Sequence, residues 1–148
     1  MYLEKIMLSD GRMRNCAIMM ALLFPMAVFP GNVPEYISGV SVVDSEGLID
    51  LVVAHDDAVV IDARLQSDYI RGHIDGAVNV PNTETDCNTL SKAAPGSSSP
   101  IVFYCNGANC MRSAESIKIA RACGYGRVYW FRGGFEEWLA KGYPYLKK

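Results

Sequence analysis

The sequence predicts an α/β domain in which a parallel sheet carries helices on both of its faces. Short apolar runs of strand-favouring residues alternate along the chain with segments whose apolar residues recur at helical spacing. Such alternation is typical of parallel sheets, because each return to the same edge needs a crossover connection, usually a helix. At 148 residues, half of them apolar and a fifth charged, the chain suits one domain with a sizeable core.

The individual elements can be placed in chain order. Asp44 and Ser45 both suit the start of the first helix, because their side chains can accept a hydrogen bond from a free helix N–H group. Gly124 and Gly142 are predicted to end the last two helices. The polar segment from Pro81 to Pro100 is predicted to be an irregular connection with at most one helical turn. The predicted elements are strand 41–43, a helix carrying Leu48, Leu51 and Val52, strand 58–62, a helical turn near 68–70, strand 77–80, strand 101–104, a helix from about Ser113, strand 127–131 and a helix carrying Phe135, Trp138 and Leu139.

Residues 1–30 are predicted to be a signal peptide or an N-terminal membrane anchor. The run Cys16–Phe29 is apolar throughout, with Arg12 and Arg14 just ahead of it. It is shorter than the roughly 17–25 residues of a standard transmembrane helix, and Pro25 would interrupt such a helix. Because its length and flanks suit a secretory signal, we expect export to the periplasm. An uncleaved anchor at 16–29 and a buried core helix are the alternatives.

The rest of the chain is predicted to be a short linker and one domain. Glycine and proline punctuate the stretch from Gly31 to Pro34, so residues 31–42 are predicted to be a linker and the start of the domain, and residues 43–148 the domain itself. The formal net charge of −2 offers no basic surface, so nucleic acid is not an expected partner. A membrane is expected to be a partner only through the N-terminal segment.

The most informative stretch is the polar loop after the strand over 101–104. Cys105 directly follows that strand, and Arg112 stands where the next helix begins. The free N–H groups and positive dipole end of the helix point back at the loop, which therefore suits an anion. Thiols in such surroundings are nucleophilic near neutral pH. Asp62, Arg64 and Arg132 are expected nearby, because they lie at or just after the ends of strands, and sites in parallel sheets lie at the carboxyl ends of strands.

Four segments carry a family resemblance. They are VIDAR over 60–64, GHIDGAVNVP over 72–81, VFYC over 102–105 with Arg112-Ser113, and RGGFEEW over 132–138 with GYP over 142–144. Together they resemble a single-domain rhodanese from Val43 to Tyr143. The resemblance implies a five-stranded α/β sheet, a persulfide on a catalytic Cys105, and Arg112 as the arginine that closes the loop.

The resemblance also implies roles for residues around the loop. Asp62 and Arg64 match a charged pair that the family places beside the active site, mainly as structural support. His73 is expected to be a hydrogen-bonded structural residue and Trp138 a core residue.

The loop departs from the commonest sulfurtransferase pattern, Cys-x-x-Gly-x-Arg-Ser. Six residues separate Cys105 from Arg112 and include a second cysteine, Cys110, which resembles a subgroup with a Cys-Asn-Gly-x-x-Cys-x-Arg-Ser loop. Cys110 is predicted to be a resolving or regulatory thiol that closes a reversible disulfide with Cys105 and shields it. Cys87 and Cys123 are predicted to be structural, with Cys123 buried and Cys87 a free, exposed thiol.

The predicted reaction is sulfur transfer. A thiolate at Cys105 takes the outer sulfur of thiosulfate, a polysulfide or a persulfide, and a thiol or cyanide acceptor then removes it. No cofactor and no metal are expected, because the cysteines lack zinc-ligand spacing and histidine partners. The partners are therefore small molecules, with an exported protein as a further acceptor. Backbone N–H groups are expected to hold the anionic donor, and they belong to Asn106, Gly107, Ala108, Asn109, Cys110 and Met111.

Three alternative functions remain open. A phosphatase also uses a cysteine loop that ends in arginine, but with five intervening residues and an aspartate as general acid, which the sequence does not obviously supply. An exported thiol redox protein would use Cys105 and Cys110 as an attacking and resolving pair. A non-catalytic domain would carry sulfur to, or dock on, one exported protein.

Overall fold

The computed structural model describes residues 32–148, and the predictions made for residues 1–31 lie outside that range. Five parallel strands form one sheet in the order β1-β5-β4-β2-β3, which confirms the predicted fold class. The strands are β1 (Ser41–Val43), β2 (Val59–Asp62), β3 (Val78–Asn79), β4 (Ile101–Tyr104) and β5 (Val128–Phe131). The helices are α1 (Ser45–Ala54), α2 (Gln66–Arg71), α3 (Cys87–Ala93), α4 (Arg112–Ala122) and α5 (Gly134–Ala140), with a 3-10 turn over Asn82–Glu84.

The core has two layers, one on each face of the sheet. The central strand β4 is fully buried, and its side chains alternate between the layers. Ile101 and Phe103 pack in the layer that contains residues of α3 and α4. Val102 and Tyr104 pack in the layer that contains residues of α1 and α5. Since each fully buried side chain of this size stabilises the fold by about 1.5–3 kcal/mol, β4 is held rigidly.

Three neighbouring strands end level with one another. In the ladder, Asp62 at the end of β2 is the partner of Tyr104 at the end of β4, and Tyr104 is in turn the partner of Phe131 at the end of β5. The residues that follow these strands therefore leave the sheet side by side. The carboxyl edge of the sheet is thus where Cys105 and the charged residues expected near it emerge.

The segment from Pro81 to Pro100 is more ordered than predicted, because it contains the 3-10 turn and the whole of α3. Asp86 caps α3 by accepting a hydrogen bond from Thr89 N at 2.7 Å, while Thr89 Oγ1 accepts one from Asp86 N at 2.9 Å. This reciprocal pair supplies two of the contacts that a helix start lacks. The prediction was wrong because α3 is short and polar, with Leu90 as its one buried residue.

Cys87 and Cys123 form a disulfide, with their Cα atoms 5.4 Å apart. The prediction that Cys87 is a free thiol was wrong, and Cys123 is half-buried instead of buried. The pairing depends on α3, whose first residue is Cys87, lying beside the end of α4. The bond spans 36 residues of sequence, and local patterns carry no information on such a distant contact. It ties the connection before β4 to the helix after it.

Two helices bury a narrower face than predicted. In α1 Leu48 is buried but Val52 is 42% exposed, and in α5 Trp138 is buried but Leu139 is 44% exposed. The predicted cap is confirmed for Asp44, whose side chain accepts a hydrogen bond from Gly47 N. No helix within residues 32–148 combines the length and apolar character that crossing a membrane requires.

Candidate active site

The candidate site is built on the loop that follows β4. Cys105 is 1% exposed at the start of this loop, and Cys110 N donates a hydrogen bond to Gly107 O at 3.0 Å, which closes a turn. The amides over 106–109 donate to no backbone carbonyl within residues 32–148, so they are free to hold an anion. Gly107 is buried, Asn109 is exposed, and Asn106, Ala108, Cys110 and Met111 are half-buried.

Helix α5 holds the first half of the loop in place through two backbone hydrogen bonds. Phe135 N donates to Cys105 O at 2.9 Å, and Glu136 N donates to Asn106 O at 2.7 Å. This docking needs a glycine at position 134, where φ is +62° and an added Cβ would lie 2.4 Å from Cys105 O. Sequence reasoning treated Gly134 only as part of a turn, although a glycine pair before a helix is a signal of close backbone approach.

Cys105 and Cys110 are joined by a disulfide in this structure. Their Cα atoms are 6.2 Å apart, inside the usual range of about 4.4–6.8 Å for such bonds. The closed pair that the sequence predicts is therefore present. While the bond is closed Cys105 is not a nucleophile, so any chemistry at this sulfur begins with a reductant.

Arg112 is the first residue of α4, which begins directly after the loop. Its side chain is 33% exposed, and Nη1 lies 3.7 Å from Asp68 Oδ2. Nη1 is itself buried and makes no hydrogen bond within the described part of the chain. Asp68 is shared, because it also contacts the guanidinium of Arg71. Part of the hydrogen-bonding capacity of Arg112 is thus available to an anion.

Asp62 and Arg64 form a buried ion pair beneath the loop, with side chains 0% and 4% exposed. Arg64 Nε and Nη2 donate to the carboxylate at 2.9 and 2.6 Å, and Nη2 also donates to Gly72 O at 2.7 Å. Tyr104 Oη donates to Asp62 Oδ2 at 2.6 Å. The guanidinium carbon of Arg64 lies 4.3 Å from the Phe135 ring centroid. This network joins β2, β4 and α5, which favours structural support over direct contact with a substrate.

The electrostatics of the network keep Tyr104 neutral and Arg64 charged. Burial raises the pKa of Tyr104, and the neighbouring Asp62 carboxylate raises it further, so Tyr104 stays a neutral donor. Burial alone would lower the pKa of Arg64, but its hydrogen bonds and attraction to Asp62 outweigh burial and raise it. Sequence reasoning missed Tyr104, although a buried hydroxyl at the end of an apolar strand signals a polar partner.

Arg132 lies near the loop but is tethered elsewhere. Its Nε donates to Pro34 O at 3.1 Å, and its guanidinium carbon lies 5.7 Å from the Trp130 ring centroid. It lines an open groove of about 580 Å³ that also reaches Ala108 on the loop. Arg132 therefore contributes charge beside the loop, while its Nε is occupied by the fold.

A second groove, of about 410 Å³, opens on the Asn106 side of the loop. Two cationic side chains, Arg71 and Lys147, stand on its rim together with aromatic rings, and Arg71 is paired with Asp68. Beside this groove the Glu136 carboxylate lies against the loop, because a Cβ built on Gly107 would lie 2.1 Å from Glu136 Oε2. The groove is lined by Arg64, Asp68, Arg71, Gly72, Asn106, Phe135, Leu139, Tyr145 and Lys147.

His73 and Trp138 occupy the structural positions expected of them. His73 Nδ1 lies 2.9 Å from Tyr69 O, and its ring stacks on the Tyr69 ring with centroids 3.8 Å apart. Trp138 is 7% exposed and donates from Nε1 to Pro144 O at 2.8 Å.

Fold and site together define a parallel α/β domain with a cysteine loop at the end of its central strand, where an arginine opens the following helix. The chain belongs to the rhodanese-like domain family, whose family model matches residues 47–141. The resemblance seen in the four sequence segments is therefore confirmed at the level of the family.

Comparison with individual proteins supports the same assignment. The thiosulfate sulfurtransferase GlpE of Pseudomonas fluorescens is 36% identical over 81 residues, which cover 55% of this chain and 70% of that protein. The thiosulfate:glutathione sulfurtransferase of Saccharomyces cerevisiae is 27% identical over 117 residues, covering 72% and 83%. A solved structure described as rhodanese with anions from E. coli aligns with a TM-score of 0.52 and 26% identity, covering 62% of this chain and 99% of the other. The alignments cover very different shares of the relatives' own lengths, 86% of one relative and 37% of another.

Proposed function

We propose that this protein is a sulfurtransferase that carries sulfane sulfur as a persulfide on Cys105. The observation that carries the proposal is the position of Cys105, which the buried strand β4 holds at the start of a loop. The amides over 106–109 of this loop donate to no backbone carbonyl within residues 32–148. Arg112 begins the helix after this loop, and its Nη1 makes no hydrogen bond within residues 32–148, so it would add a positive charge to the proposed site. Relatives named as thiosulfate sulfurtransferases support this choice of chemistry.

The first half-reaction loads the enzyme. After reduction of the disulfide, the Cys105 thiolate attacks the outer sulfur of thiosulfate, the sulfur–sulfur bond of thiosulfate breaks, and sulfite leaves with the electron pair. The free loop amides and Arg112 hold the donor's oxygen atoms and stabilise the charge that moves onto sulfite. A polysulfide or a persulfide would load Cys105 by the same displacement.

The second half-reaction unloads the enzyme. An acceptor thiolate or cyanide attacks the outer sulfur of the Cys105 persulfide, forming a new persulfide or thiocyanate. The electron pair of the broken sulfur–sulfur bond returns to Cys105, which regenerates the thiolate. No cofactor or metal takes part in this proposed cycle.

The test is turnover with thiosulfate and cyanide on reduced protein, together with intact-mass measurement after thiosulfate alone. We expect thiocyanate to form and the Cys105 persulfide to appear as a gain of one sulfur atom on the Cys110→Ser protein. Cys105→Ser should abolish both, whereas Cys110→Ser should still gain sulfur and keep substantial turnover with cyanide. Sulfur on the Cys105→Ser protein and none on Cys110→Ser would reverse the assignment of the nucleophile. Sulfur on neither would contradict the proposed function.

A thiol redox protein is the second candidate, because the Cys105–Cys110 disulfide is closed in the structure. Such a protein would catalyse the reduction of insulin disulfides by a dithiol and would form no thiocyanate. A non-catalytic carrier would take up sulfur from thiosulfate but would not turn over with cyanide. Thiocyanate formation, sulfur uptake by intact mass and insulin reduction together separate all three functions.

We also propose that the protein works after export, in the periplasm. The Cys87–Cys123 disulfide supports this, since structural disulfides are typical of oxidising compartments and rare in the cytosol. Fractionation of cells, with acid quenching and alkylation of free thiols, tests the proposal. We expect the protein in the periplasmic or membrane fraction with Cys87 and Cys123 protected from alkylation, and recovery in the cytosol with both thiols free would overturn it.

A further inference from the structure

We propose that Cys110 makes the domain a sulfide-releasing enzyme, because its thiol attacks the inner sulfur of the Cys105 persulfide and expels hydrogen sulfide. This inference rests on the proposed function, since it needs sulfur on Cys105. Transfer to an external acceptor and release as sulfide are then two fates of the same persulfide, and Cys110 decides between them.

The structure contains the product of this attack. The Sγ atom of Cys110 is bonded directly to the Sγ atom of Cys105, which is the inner sulfur of the persulfide. The outer sulfur would lie one further sulfur–sulfur bond away, about 2 Å. The folded loop thus brings Cys110 to the atom whose attack releases sulfide, rather than to the atom whose attack would move the persulfide onto Cys110.

The loop presents Cys110 without any change in the sheet. The carbonyls of Cys105 and Asn106 are held by amides of α5 at 2.9 and 2.7 Å, and Cys110 N is held by Gly107 O at 3.0 Å. Because both thiols belong to this one anchored loop, the attack is intramolecular and gains the advantage of high effective concentration. An external acceptor has no such advantage at low concentration.

The reaction balances with thiosulfate and a dithiol as the only added reagents. Cys105–S–SH and Cys110–SH give Cys105–S–S–Cys110 and H₂S. The bond between Cys105 and the outer sulfur breaks, that sulfur is reduced, and the two cysteines are oxidised together. A dithiol reductant then opens the disulfide by thiol–disulfide exchange. Over one cycle thiosulfate and a dithiol give sulfite, hydrogen sulfide and the oxidised dithiol.

The remaining cysteines in the described part of the chain do not compete for this role. Cys87 and Cys123 are bonded to each other. Cys123 follows the far end of α4, whose 11 residues span roughly 16 Å, while Cys105 and Cys110 precede its near end. Cys110 is therefore the partner that the fold provides for Cys105.

A single-turnover measurement on the full 148-residue chain tests the inference. The protein is reduced, freed of reductant without oxygen, and mixed with one equivalent of thiosulfate, after which released sulfide and protein mass are followed. We expect close to one equivalent of sulfide, and peptide mapping should find Cys105 linked to Cys110. Cys110→Ser should keep the added sulfur on Cys105 and release sulfide at least tenfold more slowly.

Cys16→Ser is the matched control, because it removes one thiol by the same substitution outside the described residues, and it should release sulfide as the unmodified chain does. Cys110→Ala, with circular dichroism on both variants, separates loss of the thiol from loss of the fold. A persulfide that is as stable in the unmodified chain as in Cys110→Ser overturns this inference and leaves the proposed function standing. Sulfur found on Cys110 with Cys105 free also overturns it. Failure of Cys105 to take up any sulfur overturns both.

Discussion

Arg112 carries a charge that the fold leaves partly unpaired, since its nearest carboxylate oxygen is 3.7 Å away and its buried Nη1 makes no hydrogen bond within residues 32–148. We expect Arg112→Ala to weaken capture of thiosulfate. One lost charged contact is worth about 1.5–3 kcal/mol, or a roughly ten- to hundredfold fall in kcat/KM. Lys118→Ala removes an exposed charge from the same helix and should leave kcat/KM unchanged. Equal kinetics for the two variants would show that Arg112 does not contact the donor.

Glu136 has the opposite effect, because its carboxylate rests against the loop at Gly107 and repels an anionic donor. We expect Glu136→Gln to raise kcat/KM for thiosulfate. A repulsion of about 1 kcal/mol, the value for two charges roughly 4 Å apart in water, corresponds to about a fivefold gain. The backbone hydrogen bond from Glu136 N to Asn106 O is untouched by this change. Glu84→Gln, an exposed substitution in the 3-10 turn, is the control, and a decrease for Glu136→Gln would indicate that the carboxylate assists the reaction.

At the scale of elements, the contact between α5 and the cysteine loop depends on Gly134. We expect Gly134→Ala to lower both stability and activity, because it adds a collision with Cys105 O at 2.4 Å to the roughly 1–2 kcal/mol cost of a left-handed φ. Gly142→Ala is the matched control, since φ there is +73° but nothing lies within 4 Å of the added Cβ. Urea unfolding and the cyanide assay should show the larger loss for Gly134→Ala. Equal losses would mean that the close approach of α5 contributes nothing.

The link between α3 and the end of α4 is the second prediction at this scale. A disulfide that closes 36 residues stabilises a fold by about 4 kcal/mol, chiefly by restricting the unfolded chain. The double substitution Cys87→Ser with Cys123→Ser should lose most of this in urea unfolding. In conditions where it stays folded it should keep its sulfurtransferase activity, because the bond is on the far side of α4 from Cys105. Unchanged stability would show that the bond is not formed in the native protein.

At the scale of the whole molecule, residues 31–148 form a compact unit that contains the sheet, both core layers and the candidate site. A chain shortened to begin at Gly31 is expected to fold and to keep full sulfurtransferase activity. Thermal unfolding and the cyanide assay check this. A chain that begins at Ser41 is the comparison, because it lacks Val33, Ile37 and Val40, which pack against the core, and it should unfold at a lower temperature. Loss of folding at Gly31 would show that the apolar N-terminal run belongs to the core.

Much of this molecule was determined by local sequence patterns. Apolar, strand-favouring runs gave all five strands to within a residue or so at each end, and β4 was predicted with the same bounds that it has. The position of Cys105 followed, because a residue just after a buried strand has its place fixed by the sheet. These features depend on side chains that are neighbours in sequence, and such patterns are readable without knowledge of the fold.

Only the tertiary structure decided which distant residues meet. The strand order puts β4 between β5 and β2, and so brings Asp62, Tyr104 and Arg64 into one buried network. It also determined the Cys87–Cys123 pairing and the docking of α5 on the loop through Gly134. Each of these depends on the distance between elements separated by tens of residues. That distance is fixed by packing across the sheet, and local propensity and periodicity do not contain it.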